Sequence, residues 1–292
     1  MISESVQLYV QQWVKDTLGA VPASLQFTPV GGGSINETYR ITFEDRSFFC
    51  KINSLSTFPA LFETEQKGLE LLAQQQVIRI PKVIATAHTG DSQVLLLEWI
   101  EQGLKTDAFW ASFGEQLAAL HHITGSQFGL DINNYMGALP QNNTPGNNWI
   151  EFFIHQRLQP QVQLAINRQL LEPAHVRMFE KLYQRLGELF TAEPAALLHG
   201  DLWSGNFLCD DMGKPVLIDP AVYYGHRNMD MAMTTLFGGF DALFYESYQY
   251  HFPLPANYRQ QWELCNLYPL LIHLNLFGKS YLADILNTIR RY

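Results

Sequence analysis

The sequence predicts an α+β protein of two lobes, a small β-rich one followed by a larger α-rich one. Three observations predict it. Residues 25–100 read as short alternating or wholly apolar runs broken by turns, with one helical stretch among them. Beyond residue 100, apolar residues recur at helical spacing over most of the chain. Within that helical half, two short apolar runs, Ala195–Leu198 and Asn206–Cys209, flank a dense polar loop in "LLHGDLWSGNF". A chain of 292 residues is long enough for two cores. The boundary falls near residue 101, giving lobes of residues 1–100 and 101–292.

The elements follow in order. Val6, Val10, Trp13 and Leu18 lie near helical spacing after a serine cap at Ser3 or Ser5, which predicts an amphipathic first helix. Tyr39, Ile41 and Phe43 alternate with polar residues, Glu44 to Ser47 reads as a turn, and Phe48 to Ile52 as a returning strand. A glycine-rich stretch, Gly31–Gly33, precedes this hairpin. "FPALFETEQKGLELLAQQ" is helical, with Phe62, Leu69, Leu72 and Ala73 on one face and Gly68 as its weak point. "IRIPKVIATAH" and "SQVLLLEWI" read as two more strands. In the second half Phe109, Phe113, Leu117 and Leu120 step by four, four and three along a helix. Residues 131–148, rich in Asn, Pro and Gly, read as a loop. Residues 149–168 and 175–191 read as helices. The polar loop comes next, then a turn and short strand in "DDMGKPVLIDPA". Residues 228–250 and 258–290 read as helices on either side of Pro255.

Composition excludes several classes. Apolar residues make up 47% and charged residues 16%, the balance of a folded globule. The net charge of −9 argues against a general nucleic-acid binder, which needs a cationic footprint, but leaves room for a nucleotide site. Cys50, Cys209 and Cys265 are far apart, with no CxxC pair, so neither a disulfide framework nor a zinc site is expected and a reducing cytoplasm fits. The first twenty residues lack a basic segment followed by an apolar core, and "LYPLLIHLNLF" is too short to span a membrane. No membrane partner is expected.

Four features then stand in order: the glycine-rich turn, Lys51 on the next strand, an acidic helix carrying Glu63 and Glu65, and "HGD…N…D". Phosphoryl transfer from ATP can use this set. A glycine-rich turn lets backbone approach phosphates, and a lysine on a rigid strand gives them a point charge that a helical glutamate would orient. An aspartate near the acceptor hydroxyl takes its proton, and an asparagine and a second aspartate hold Mg²⁺. Asp201 and Asn206 are five residues apart, as in the catalytic loop of protein kinases. Asp219 follows thirteen residues after Asn206, where a hairpin would return it to Asn206.

"LLHGDLWSGN" followed by "IDPAVYYGHRNMDMAM" resembles the fructosamine kinase (ketosamine-3-kinase) family, part of a kinase-like group that includes aminoglycoside and choline phosphotransferases. "GGGSIN", "FFCKIN", "FETEQKGLELL", "LLLEWI", "NYMGALPQNN", "WIEFFIHQRLQPQ" and "LYPLLIHLNLFG" extend the resemblance over nearly the whole chain. It implies a protein-kinase-like fold with ATP and Mg²⁺ as cofactors. The substrate would be a ketosamine, either a small amine adduct or a glycated lysine, phosphorylated on the sugar's third carbon in a deglycating repair reaction. It implies Asp201 as proton acceptor, Asn206 and Asp219 as Mg²⁺ ligands, and Lys51 on the phosphates with Glu65 as its partner, although Glu63 is also acidic. Gly31, Gly32, Gly33 and Ser34 would cover the nucleotide. Glu98, Trp99 and Ile100 would read the adenine through their backbone, and Trp203 would stack on the sugar side. Some members carry a cysteine beside the glycines. Ser34 stands here, so thiol regulation of that loop is not expected. Two other readings compete: a small-molecule kinase of the aminoglycoside or choline type, and a nucleotide-binding pseudokinase module. The Leu-Trp-Ser-Gly filling argues against the first, and the intact Lys51/Asp201/Asn206/Asp219 set against the second. His199 is expected to hold the loop, Asp230 to accept backbone N–H groups, and His121 and His122 to pack or lie at the surface.

Overall fold

A computed structural model describes residues 2–19, 25–31 and 35–292. Gly32, Gly33 and Ser34 lie outside the described residues. Helix α1 (Glu4–Leu18) starts where Ser3 accepts the Val6 N–H, and it buries Val6, Val10 and Val14 on one face. Five strands form an antiparallel sheet in the order β1-β2-β3-β5-β4: β1 (Gln26–Pro29), β2 (Glu37–Phe43), β3 (Arg46–Ser54), β4 (Val83–Thr89) and β5 (Ser92–Glu98). Helix α2 (Leu61–Gln74) is inserted after β3.

Strand parity decides what each face of this sheet meets. Cys50, Ile52, Val94 and Leu96 point to the face covered by α1. Leu95 and Leu97 point the other way, into a core shared with α2 and with the second lobe. Lys51 lies between Cys50 and Ile52 and therefore faces that second side. The same core contains Leu69 and Leu72 of α2 together with Phe109, Phe113, Leu197, Phe207 and Leu217 from beyond residue 100. The two regions thus share buried apolar surface behind the site.

The second region opens with α3 (Asp107–His121), capped by Thr106 and burying Phe109, Phe113, Leu117 and Leu120 as their spacing predicts. A three-stranded sheet follows the order β12-β9-β6, from β6 (Thr124–Gly125), β9 (Ala195–Leu198) and β12 (Tyr223–Gly225), and β7 (Asn134–Met136) pairs with β8 (Leu139–Gln141). Helices α4 (Trp149–Phe152) and α5 (Gln159–Asn167) are joined by a π-helical turn, Phe153–Leu158, and α6 (Pro173–Leu189) follows. Strands β10 (Phe207–Cys209) and β11 (Pro215–Leu217) form the central hairpin. The chain ends in α7 (Asn228–Leu236), α8 (Ala242–His251), α9 (Tyr258–Cys265), α10 (Leu267–Phe277) and α11 (Leu282–Ile289). Among the described residues no helix is long and apolar enough to cross a membrane.

Four expectations are corrected and one strand is added. Residues 131–148 are not all loop, because β7 and β8 form a hairpin there. The helix expected over 228–250 breaks between α7 and α8, where Gly238 and Gly239 adopt positive φ. The helix expected over 258–290 breaks at Asn266 and at Gly278, also at positive φ. Ala73 is exposed, not part of the apolar face of α2. Gln26–Pro29, which carried no strand expectation, is held as an edge strand by β2. Gly68, the weak point of α2, has a packing reason: a Cβ there would sit 3.1 Å from Val222.

Gly114 sets the closest helix contact, since a Cβ there would lie 2.3 Å from the Phe244 carbonyl oxygen of α8. Gly114→Ala gains about 1 kcal/mol of helix propensity. Forcing α3 and α8 apart costs about 1–3 kcal/mol and more for a backbone clash. Chemical denaturation is expected to show net destabilisation; a more stable variant would mean the two helices separate freely.

Candidate active site

The polar loop hangs between β9 and β10 and is fixed from below by two buried side chains. Asp230, in the first turn of α7, accepts the His199 N–H at 2.7 Å and the Gly200 N–H at 2.8 Å. Its Oδ2 also lies 3.2 Å from Nε2 of the buried His121, whose Nδ1 meets the Tyr248 hydroxyl at 2.8 Å. The His199 ring is fully buried. Its Nδ1 accepts the Asp201 N–H and its Nε2 faces the Ile218 carbonyl at 2.9 Å. A backbone N–H can only donate and a carbonyl can only accept, so the ring is the neutral Nε2–H tautomer. Burial pushes its pKa down, against the pull of Asp230. His122 stacks on Phe252 at 3.9 Å. Gly200 is at φ +85°, and a Cβ there would lie 2.0 Å from the Ala221 carbonyl oxygen. No other residue fits this crossing.

Asp201 and Asn206 face each other across the loop. The Asn206 Nδ2 donates to the Asp201 carbonyl at 2.8 Å and to its Oδ2 at 2.9 Å. Burial pushes the Asp201 carboxyl up to about 7; the Asn206 hydrogen bond pulls it down, and the Asp219 and Asp230 charges add to the rise. The β10–β11 hairpin pairs Phe207 with Leu217, and Ile218 N–H donates to the Asn206 carbonyl. This returns Asp219 to Asn206, whose Nδ2 is 3.4 Å from the Asp219 carbonyl. Asp219 adopts φ 54°, a left-handed conformation ahead of a proline.

Lys51 completes the group. Its ammonium, only 2% exposed, sits 2.6 Å from Glu65 Oε1 and 2.7 Å from Asp219 Oδ1. Burial alone would lower the lysine pKa, but the two carboxylates overcome it and hold the pKa above its ordinary value. Burial lifts the Glu65 carboxyl and Lys51 pulls it part of the way back. Glu63 and Glu65 differ by two positions, about 200° around a helix, so only one can face Lys51. Glu63 instead pairs with His88.

A cleft of about 260 Å³ is lined by Lys51, Glu65, Asp201, Trp203, Asn206 and Asp219. Glu98, Trp99 and Ile100 do not line it. The Glu98 N–H donates to the Lys82 carbonyl, and its carboxylate holds Arg79 and the Lys82 N–H. The amide of Glu98 is therefore engaged within the protein, which leaves its carbonyl as the group that could meet a base. Ile100 is buried, and Arg40 lies over Trp99 at 4.4 Å. Gly31 is exposed, while Gly32, Gly33 and Ser34 fall outside the described residues. Asn36, just after them, lines the cleft, and Asn53 Nδ2 holds its Oδ1 at 2.7 Å.

The far wall holds residues without a sequence assignment: Tyr135 of β7, Gly137 of the turn after it, Phe237, and His273 and Phe277 of α10. Trp203 meets Phe237 edge-on at 5.9 Å. His273 packs against Phe237 at 5.0 Å, its Nδ1 is 2.7 Å from the Pro269 carbonyl, and burial lowers its pKa. Tyr135 and Gly137 fall in the segment read as a loop, Phe237 just before Gly238, and His273 and Phe277 in the apolar run "LYPLLIHLNLF", so no local pattern marks them as cleft residues.

The donor set suits a hard divalent cation. Asn206 uses its Nδ2 on Asp201, which leaves its amide oxygen, and Asp219 uses one carboxylate oxygen on Lys51 and keeps the other. Among the described residues no cluster of three or more His, Cys, Asp or Glu offers a complete cage. Two protein oxygens suit an ion that takes its remaining ligands from phosphates and water.

A family model described as fructosamine kinase matches residues 6–292. A probable ketoamine kinase of Synechocystis is 39% identical over 274 residues, 93% of this chain and 92% of that protein. A chloroplastic protein-ribulosamine 3-kinase of Arabidopsis thaliana is 36% identical over 290 residues, 97% of this chain and 87% of its own length. A solved structure from Thermobifida fusca, named as a fructosamine-3-kinase, superposes with a TM-score of 0.85 at 34% identity, covering 96% of this chain and 97% of that one.

Glu65 and Glu63 are distinguishable by stability alone. Removing one partner of a buried ammonium costs about 3 kcal/mol or more, whereas an exposed pair is worth about 0–1 kcal/mol. Denaturant titration of Glu65→Ala and Glu63→Ala should show this gap. Equal losses would mean that Lys51 does not depend on Glu65.

Proposed function

The chain belongs to the fructosamine kinase family, a kinase-type phosphotransferase with a protein-kinase-like fold. From that premise we propose that it transfers the γ-phosphate of ATP to a sugar hydroxyl of a ketosamine. The reading places the phosphate on the third carbon, the position in the name of the Arabidopsis relative. The phosphorylated adduct is expected to shed its sugar and free the amine, so the reaction is a deglycation. Ribulosamine, erythrulosamine and fructosamine adducts, free or on lysine side chains, form the substrate class. A cytoplasmic setting, as expected from the separated cysteines, is part of the proposal.

One observation carries this reading: Lys51, Asp219, Asn206 and Asp201, from two lobes and three elements, line one cleft in contact with one another. Residues 1–100 would cover the nucleotide and residues 101–292 would carry the acceptor. Lys51, kept cationic by two carboxylates, holds the phosphates. Asn206 and Asp219 would hold Mg²⁺, which when bound neutralises charge on the phosphate oxygens. Asp201 accepts the proton of the sugar hydroxyl. Its carboxyl, pushed up to about 7, is basic enough to accept that proton and is half ionised near neutrality. Asn206 points that carboxylate by donating to its Oδ2. Trp203 and the aromatic far wall form an apolar face for the sugar carbons. Glu98, Trp99 and Ile100 would supply the backbone that meets the adenine. Gly31 to Ser34 would close over the phosphates.

The test is ADP release with Mg·ATP and a synthetic ribulosamine or fructosamine, with choline and an aminoglycoside in parallel. Release with the ketosamines alone supports the reading; release only with another acceptor replaces the substrate, and silence with all of them removes turnover. Asp201→Asn should lower kcat about 10²–10⁴-fold, the share of a general base. In the wild type kcat/KM should rise with pH through a limb near 7, as Asp201 loses its proton. A flat profile from pH 6 to 8 would remove Asp201 as the base.

A further inference from the structure

Arg157 is fully buried on the π-helical turn, and among the described residues no carboxylate lies within ion-pair distance of it. Its guanidinium lies over the rings of Tyr223 at 4.0 Å and Phe152 at 4.7 Å. Its hydrogen bonds go to the Asn142 carbonyl at 2.5 Å, to the Gln156 carbonyl at 3.2 Å and to Asn143 Oδ1 at 2.7 Å. A buried cation without a counter-ion is costly, and a single π turn inside a helix often marks a functional position.

We propose that Arg157 is a positioning residue for Asp219, acting through a one-way relay of side-chain amides that ends on the carbonyls of Ala221 and Val222. The proposal rests on the reading of Asp219 as a metal-side residue. An arginine can only donate. Asn143 must therefore turn its oxygen to Arg157, and its Nδ2 donates to Asn134 Oδ1 at 2.9 Å. With its oxygen engaged, Asn134 donates through Nδ2 to the Val222 carbonyl at 2.9 Å. Beside it the Tyr268 hydroxyl donates to Gln141 Oε1 at 2.9 Å. The Gln141 Nε2 donates to Asn134 Oδ1 at 2.9 Å and to the Ala221 carbonyl at 3.1 Å. Flipping either asparagine would set like against like, because Arg157 at one end can only donate and the carbonyls of Val222 and Ala221 at the other can only accept.

The relay grips the chain just after the strained residue. On its other side, the Ala221 N–H donates to the His199 carbonyl and Asn206 Nδ2 reaches the Asp219 carbonyl. Residues 219–222 are thus clamped between the catalytic loop and the relay. A non-glycine residue keeps a left-handed conformation only where its surroundings over-determine it. This clamp holds Asp219 at φ 54° with Oδ1 on Lys51.

The test separates a relay from mere packing. Asn143→Asp gives Arg157 a carboxylate in place of the amide oxygen but removes the donor to Asn134. Gln141→Glu keeps the acceptor for Tyr268 and removes the donors to Ala221. Titration calorimetry with ADP, with and without Mg²⁺, is run beside thermal melting of each variant. We expect both variants to melt cooperatively and to bind Mg·ADP about tenfold or more weakly, the usual effect of disturbing groups behind a metal ligand. Metal-free ADP should bind within about twofold of wild type. A folded variant with wild-type Mg·ADP affinity overturns the proposal, and so does loss of folding in both, which would make the amides architecture alone. Wild-type protein that binds Mg·ADP but turns over no ketosamine sinks the substrate reading and leaves the relay standing.

Discussion

A buried ammonium between two carboxylates is the constraint on which the rest depends. Lys51 comes from the central strand of the first sheet, Glu65 from the helix inserted after it, and Asp219 from the segment beyond the second lobe's hairpin. Removing such a charge from water costs several kcal/mol, and only close partners with good geometry offset it. The pairing therefore fixes three backbone elements relative to each other. It also explains why the shared apolar core runs behind this point: Leu95, Leu97, Leu69 and Phe207 exclude water from the side on which the pair must be dry. The exposed fraction lies with Asp219, whose side chain is 40% accessible on the cleft side. The pair is closed toward the protein and open toward a ligand.

The second lobe meets that requirement with rigid parts under a strained surface. Neutral His199 ties the loop to Ile218, and Asp230 ties it to α7 through two backbone N–H groups. These bonds are buried and satisfied, so they hold two unusual conformations, Gly200 at φ +85° and Asp219 at φ 54°. Neither His199 nor Asp230 reaches the cleft. Their work is to keep Asp201 and Asp219 on the same side of Asn206.

The legibility of the sequence followed how local each signal was. The Asp201–Asn206 spacing and the turn before Asp219 are local, so the hairpin and its two acidic flanks could be read from the chain. Helical phase separates Glu63 from Glu65, but choosing between them needs the position of Lys51, which only the sheet register supplies. The β7–β8 hairpin was hidden by composition. Asn, Pro and Gly signal loop, yet Asn134, Gln141 and Asn143 are buried because they hydrogen-bond each other and the Asp219 segment. The far wall was hidden for another reason: Phe237, His273 and Phe277 sit in stretches read only as helix, with no polar motif to mark them. The Glu98 N–H is taken by the Lys82 carbonyl across the strand end, a pairing no local pattern announces.

Charge balance links the site to the surface charge of the whole chain. Around the cleft Lys51 is one cation against Glu65, Asp219 and a partly ionised Asp201, and the chain carries −9 overall. Polyphosphate entering alone would meet more negative charge than positive at short range, where screening by salt is weakest. A divalent cation entering with it reverses that balance, and the amide oxygen of Asn206 and the second oxygen of Asp219 are where such a charge gains most. On the proposed function, this excess of carboxylate makes nucleotide binding stronger with the metal than without it. A ketosamine's protonated amine gains from the same excess once the phosphates are neutralised. On the proposed function, the acidity that argues against nucleic acid is compatible with an amine-bearing acceptor.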